Sequence, residues 1–293
     1  MGKHLAAACA FSALVLGLSS CAVFSKSGKT PASMPGQWQA TPIVVDGDSK
    51  DWPSPYPNYD AKAMVAYATS NDGKNLYITM QSGDELTQMK ILKQGLTVSI
   101  DTTGRKEGQL HINFPMPSDN DIIEVARQEE GMNRSMGMPR GKKLEQKLAT
   151  AARNANQLSL DGFEGCSGGY ATTQTNACGI KVVMRMDEYK ELVWEAVVPL
   201  KAIYHKETIT AADAGRPISV CFAVKAFKQA AVKNADNNGP SMSNTMGGGT
   251  GMNSAMRNGG GINRGGGRPN TDNPMQHLYE STKTWKQFGL AWK

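Results

Sequence analysis

Short runs of alternating apolar and polar residues recur along the chain from Pro42 onward, and their period of two predicts strands. Ala63 to Thr69, Asn75 to Gln81 (NLYITMQ), Leu96 to Asp101 (LTVSID) and Gln109 to Phe114 (QLHINF) are rich in β-branched and aromatic residues. The turn signals NDG, GDE and TTG punctuate them. The second half repeats the style. Lys181 to Met186 and Leu192 to Val198 predict a hairpin through Asp187-Glu188-Tyr189-Lys190, Ile218 to Phe227 is the longest strand, and Trp285 to Ala291 closes the chain. Many short strands at this spacing predict an all-β fold, an antiparallel β-sandwich of the immunoglobulin or jelly-roll kind, over residues 41–293.

Two segments depart from the pattern. Ser118 to Glu130 predicts a helix, with Ser118 as its cap and Asp121 three residues later. Lys142 to Ala155 predicts a second, with Leu144, Leu148, Ala152 and Ala155 on one face. Together they read as a small helical insertion over 118–157. Lys233 to Asn273 is almost pure Gly, Asn, Met, Ser and Arg, offers no apolar face, and predicts one long disordered loop.

The first residues carry an address. Lys3 and His4 precede an apolar run from Leu5 to Leu18, and Leu18-Ser19-Ser20-Cys21 has the form of a lipobox. The run is shorter than the roughly 20 residues a spanning helix needs. Residues 1–20 therefore read as a lipoprotein signal peptide, Cys21 as the cleaved and lipidated residue bearing palmitate, and 21–40 as a flexible tether rich in Ser, Gly, Lys and Pro. The expected location is the outer membrane, held through the lipid. Ala22 lacks the acid linked to inner-membrane retention, and Val23 to Lys29 holds no acidic cluster of the surface-export type, so the periplasmic and surface faces both stay open. An exported chain is not expected to meet nucleic acid.

Composition adds a local charge feature. Of the 293 residues, 273 remain after the signal, and loss of Lys3 lowers the net charge from +6 to +5. Arg134, Arg140, Lys142, Lys143, Lys147 and Arg153 face the single acid Glu145 between Gly131 and Gln157. The stretch has no aromatics, so it reads as a solvated helix face before it reads as a patch for anionic polymer. Cys166 and Cys178 end the stretch CSGGYATTQTNAC, a spacing that a hairpin end brings to disulfide distance in an oxidising compartment. Cys221 lies in the apolar run ISVCFAVKAF and reads as a buried thiol.

The order PIVVDGDSKDW, NDGKNLYITM, GLTVSID, ELVWEAVVPLKAI and finally WKQFGLAW resembles the family 9 carbohydrate-binding module and its DOMON-type relatives, across Thr41 to Lys293 apart from the insertions. The resemblance implies a β-sandwich displayed by a Gram-negative, Bacteroidota-type lipoprotein. It implies glycan or polysaccharide as partner, a sugar ring held against aromatic faces, and calcium as a possible cofactor. The family's pair of binding tryptophans has no match here. Trp52, Trp194 and Trp285 fall where the family has core aromatics, which leaves Tyr56, Tyr59 and Tyr170, all in turn-rich sequence, as the candidate sugar platform. Asp46, Asp48 and Asp101 are candidate calcium ligands, with Asx-type turns as their ordinary reading.

No GxSxG, HExxH or phosphate-cradling loop occurs, so the expected role is not enzymatic. One alternative is a copper- or haem-handling protein. Met132, Met136 and Met138 form one cluster, and Met242, Met246, Met252 and Met256 form two Mx3M pairs of soft thioether ligands, for which compositional drift is the ordinary reading. A structural component of an envelope complex is the other.

Overall fold

Hydrogen-bonded strands organise the chain into two sheets packed face to face. The computed structural model describes residues 34–128, 142–166, 170–172, 176–227 and 276–293. The seven-stranded sheet has the order β1-β12-β11-β5-β6-β7-β8, formed by β1 (Met34–Pro35), β5 (Leu96–Asp101), β6 (Leu110–Asn113), β7 (Gln157–Asp161), β8 (Tyr170–Thr172), β11 (Pro217–Val224) and β12 (Thr282–Gly289). The five-stranded sheet has the order β2-β3-β4-β10-β9, formed by β2 (Asn58–Asp60), β3 (Val65–Asn71), β4 (Asn75–Ser82), β9 (Lys181–Met186) and β10 (Leu192–Pro199). All pairs are antiparallel except β1 with β12. The protein is thus an all-β sandwich.

Alternation decides which side chains fill the core. Leu76, Ile78 and Met80 of β4, with Leu192, Trp194, Ala196 and Val198 of β10, face Val98, Ile100, Ile112, Val220 and Phe222 of the other sheet. Trp194 is fully buried and its indole N–H donates to the Phe114 carbonyl. Four helices accompany the strands, α1 (Glu85–Gln94), α2 (residues 122–128), α3 (Lys142–Asn154) and α4 (Leu200–Tyr204), with α3 against the edge strand β9. Leu144, Leu148 and Ala152 of α3 are buried, as the 3.6-residue period predicts. Among the described residues no helix is long and apolar enough to cross a membrane.

Several expectations change. Residues 34–39 do not behave as tether: β1 pairs with β12, and Gln37 and Gln39 exchange backbone bonds with Asn71. Ser118 does not cap a helix; its hydroxyl donates to the Leu92 carbonyl, and α2 begins at residue 122. Trp285 is not a core residue. The inward positions of β12 are Thr282, Thr284 and Phe288, and that register turns Trp285 to the outer face opposite Cys221. Cys166 and Cys178 form a disulfide, and Cys221 is a buried thiol whose burial pushes its pKa up to about 11. The segment 233–273, both methionine clusters and Cys21 lie outside the described residues.

Candidate functional site

The outer face of the five-stranded sheet is divided into a covered half and an open half, and the cover is built by the DGDSKDW turn. Gly47, at φ +86, places its N–H 2.7 Å from Glu195 Oε2, which also accepts from the Asp46 N–H at 3.2 Å. The Trp52 indole N–H donates to Glu195 Oε1 at 2.6 Å. A side chain at position 47 would run into Arg185, with a Cβ only 2.4 Å from its Cγ, so glycine is required twice over. Ile43, Trp52, Ala68 and Tyr77 form a second apolar cluster under this strap, with Tyr56 and Val197 packed against it. Burial pushes Glu195 up to about 7 against the three donors that hold it down.

Tyr56 belongs to the cover. The Thr79 hydroxyl donates to the Trp194 carbonyl, so the Tyr56 hydroxyl, 3.1 Å away, donates to Thr79. Burial pushes Tyr56 up to about 12. Its ring is spent on packing.

Tyr59 stands in the open half. The sheet register sets a row Tyr59–Ala66–Gln81 across β2, β3 and β4. Directly opposed residues share a face, so small Ala66 leaves a gap between the tyrosine ring and the glutamine amide. The gap is a basin of about 380 Å³ lined by Tyr59, Met64, Ala66, Gln81, Gly83, Asp84 and Glu191. Tyr59 is 62% exposed. Met64, at φ 55, sits in the β2–β3 turn and receives a weak bond from the Tyr59 hydroxyl at 3.6 Å.

The polar wall of the basin is made of acceptors. Gln81 Nε2 donates to Asp187 Oδ2 at 3.2 Å and to Glu191 Oε2, which spends both amide hydrogens and leaves the Gln81 carbonyl. Asp187 Oδ1 accepts from the backbone of Tyr189 and Glu191, which fixes the hairpin turn. Asp84 caps α1 through the Thr87 N–H. Glu191 is pushed above its ordinary value by burial and by the neighbouring Asp187 charge. A ligand seated here meets one exposed aromatic face and several oxygens that want hydrogens.

The other sequence candidates have different surroundings. Asp46 Oδ1 accepts from the Asp48 N–H, and Asp48 accepts from the Lys50 backbone and pairs with its ammonium. Burial pushes Asp101 up, but the Thr103 hydroxyl and the Thr103, Lys106 and Glu107 N–H groups outweigh it and hold it below its ordinary value. These are turn-bracing carboxylates, and among the described residues no group of three or more His, Cys, Asp or Glu side chains is arranged to hold a metal. The Tyr170 side chain, Met242, Met246, Met252 and Met256 lie outside the described residues. His111 Nδ1 is 2.8 Å from the Ser99 hydroxyl, but the Asp161 carboxylate across the strand accepts from Asn113.

Two tryptophans left unassigned in sequence come together from opposite ends of the chain. Trp38 and Trp292 meet edge to face, with centroids 6.1 Å apart and planes at 77°. Rings in direct contact leave no slot for a sugar between them.

No family model matches the chain, and no curated protein matches it. One solved structure to which it is similar is a family 9 carbohydrate-binding module from Caldicellulosiruptor kristjanssonii in complex with glucose. The TM-score is 0.29 and the identity 11%, covering 66% of this chain and 77% of that one. The sandwich assignment stands on the strand pairing described above.

Proposed function

We propose that this protein is a non-catalytic glycan-binding lipoprotein of the Gram-negative envelope, held at the outer membrane by lipid on Cys21 and binding polysaccharide through the Tyr59 basin. The observation that carries the reading is the exposed Tyr59 ring beside the acceptor oxygens of Gln81, Glu191 and Asp84 that line the same basin. A pyranose presents both complements: a C–H face for the ring and hydroxyl donors for the oxygens. The lipobox supports the address, and a shallow basin on a tethered domain suits modest affinity for a repeating polymer, where neighbouring copies on a membrane add avidity.

A glycan array on the purified protein, followed by titration of the best polysaccharide, tests the reading. Tyr59→Ala is expected to weaken binding about tenfold, the loss of about 1 kcal/mol or slightly more of ring contact, with the thermal midpoint unchanged. Tyr56→Ala is expected to do the reverse, lowering stability because its ring and hydroxyl hold the strap. Binding should also weaken as pH falls through the raised pKa of Glu191, since a protonated carboxyl loses acceptor capacity. A Tyr59→Ala variant that binds polysaccharide as the wild type does would remove the basin from the account.

A further inference from the structure

Residues 37–39 and 290–292, far apart in sequence, are tied together by one asparagine. Asn71, the last residue of β3, is fully buried. Its side chain donates to the Ala291 carbonyl at 3.0 Å and accepts from the Ala291 N–H at 2.9 Å. Its backbone N–H donates to the Gln37 carbonyl at 3.0 Å, and its carbonyl accepts from the Gln39 N–H at 2.8 Å. Trp38 lies between the two glutamines and Trp292 follows Ala291, so these bonds hold both tryptophans in place and account for their edge-to-face contact.

Rings anchored this firmly are nonetheless left facing outward. Trp292 is 43% exposed and Trp38 is half-buried. Beside them is a recess of about 430 Å³ lined by Pro35, Gly36, Trp38, Leu290, Ala291, Trp292 and two further glycines, so every lining residue is apolar or glycine. The Tyr59 basin, by contrast, is lined by Gln81, Asp84 and Glu191 among others. Lys74, next to the Gly73 that approaches the Trp38 ring, and Lys293, next to Trp292, are exposed beside the pair. Indole rings backed by apolar surface and edged by lysines match the chemistry of a bilayer interface. The ring body meets the acyl boundary, the indole N–H meets the polar headgroups, and the ammonium groups meet phosphate.

Position in the chain says which surface covers the pair. Thirteen peptide steps separate Cys21 from Met34, and four more reach Trp38. Even fully extended, thirteen residues span at most about 45 Å, so a lipid on Cys21 keeps residue 34 within that distance of the bilayer, and residues 34–38 are the first of the sandwich to come within reach. We propose that the Trp38–Trp292 end of the sandwich rests in the headgroup region of the bilayer, with phospholipid covering the two rings and the recess beside them. The proposal rests on the lipid anchor at Cys21, and it orients the Tyr59 basin. Tyr59 pairs with Ala66 near the start of β3, and Asn71 lies five residues further on, about 17 Å along the strand. With the tryptophans on the membrane, the basin is carried at the other end of β3, away from lipid and open to a polymer.

Bromine quenching in reconstituted vesicles tests it. The full lipidated chain is incorporated into vesicles of phosphatidylethanolamine and phosphatidylglycerol, with and without a phosphatidylcholine brominated on its acyl chains, and the vesicles are recovered by flotation. Tryptophan emission is expected to fall in the brominated vesicles. Trp292→Phe, at the more exposed ring, should lose part of that quenching, and Trp38→Phe combined with Trp292→Phe should lose most of it with the thermal midpoint close to that of the wild type. Trp285→Phe, on the outer face of the seven-stranded sheet, should keep it. Protein that floats with the vesicles yet shows no quenching, or quenching that survives the combined variant, would overturn the proposal and leave the lipid anchor standing. Protein that does not float would overturn the anchor, and this proposal with it.

Discussion

Glu195 is the residue on which the covered half of the five-stranded sheet depends. Its carboxyl takes one indole and two backbone donors from a turn 143 to 149 residues away in sequence. Glu195→Ala should cost about 2–4 kcal/mol by leaving those donors buried without an acceptor. The pH dependence has a definite sign. The folded-state pKa is raised from 4.5 to about 7, so the stability linked to the bound proton is complete below 4.5 and is lost as pH rises through 7. His277, pushed below its ordinary value by burial, contributes a slope of opposite sign near 6.5, so the two must be separated. Thermal melts of wild type and Glu195→Gln between pH 4.5 and 8 separate them. The wild type minus variant difference should shrink as pH rises, and a flat difference would show that the carboxyl stays ionised throughout. Little of this was legible beforehand: DGDSKDW reads as a turn, but its anchor is an acid inside VWEAV, a position that alternation alone marks as outward and solvated. Tyr59 was legible as exposed, while Gln81, Asp187 and Glu191 reach it only through strand register.

At the scale of elements, alternation located the strands because one face of each is buried. It was less informative for β4, which is buried on both faces because the 43–57 strap covers its outer side. Helix α1 was missed because Thr87, Gln88 and Lys90 are buried polar residues that blur its apolar stripe. Its capping signals were nonetheless present, Asp84 before and Gly95 after. Lys90 is fully buried and donates to the carbonyls of His277 and Glu280, pinning the chain where it re-enters the sheet after the long glycine-rich segment. The Phe227 N–H bonds the Leu278 carbonyl and Val224 pairs with Thr282, so the two ends of that segment are neighbours, as in a hairpin. Replacing Lys233 to Asn273 with a short Gly/Ser linker should therefore leave the thermal midpoint unchanged or slightly higher, since a shorter loop costs less closure entropy. A drop of several degrees would mean that the segment packs on the sandwich.

At the scale of the whole molecule, the proposed function combines a membrane address with a binding face. The proposed address rests on LSSC alone, and Cys21→Ala should abolish labelling by a palmitate analogue and leave the precursor unprocessed; labelling that persists would refute it. The proposed binding face is built from residues dispersed over β2, β3, β4 and the β9–β10 turn, which no local motif records and only the folded register assembles. The claim at the centre is that polysaccharide seats on Tyr59. Amide chemical-shift mapping during titration with an array-selected oligosaccharide tests it most directly. The largest shifts are expected at Tyr59, Ala66, Gln81 and Glu191, while shifts centred on another surface would contradict a Tyr59 site.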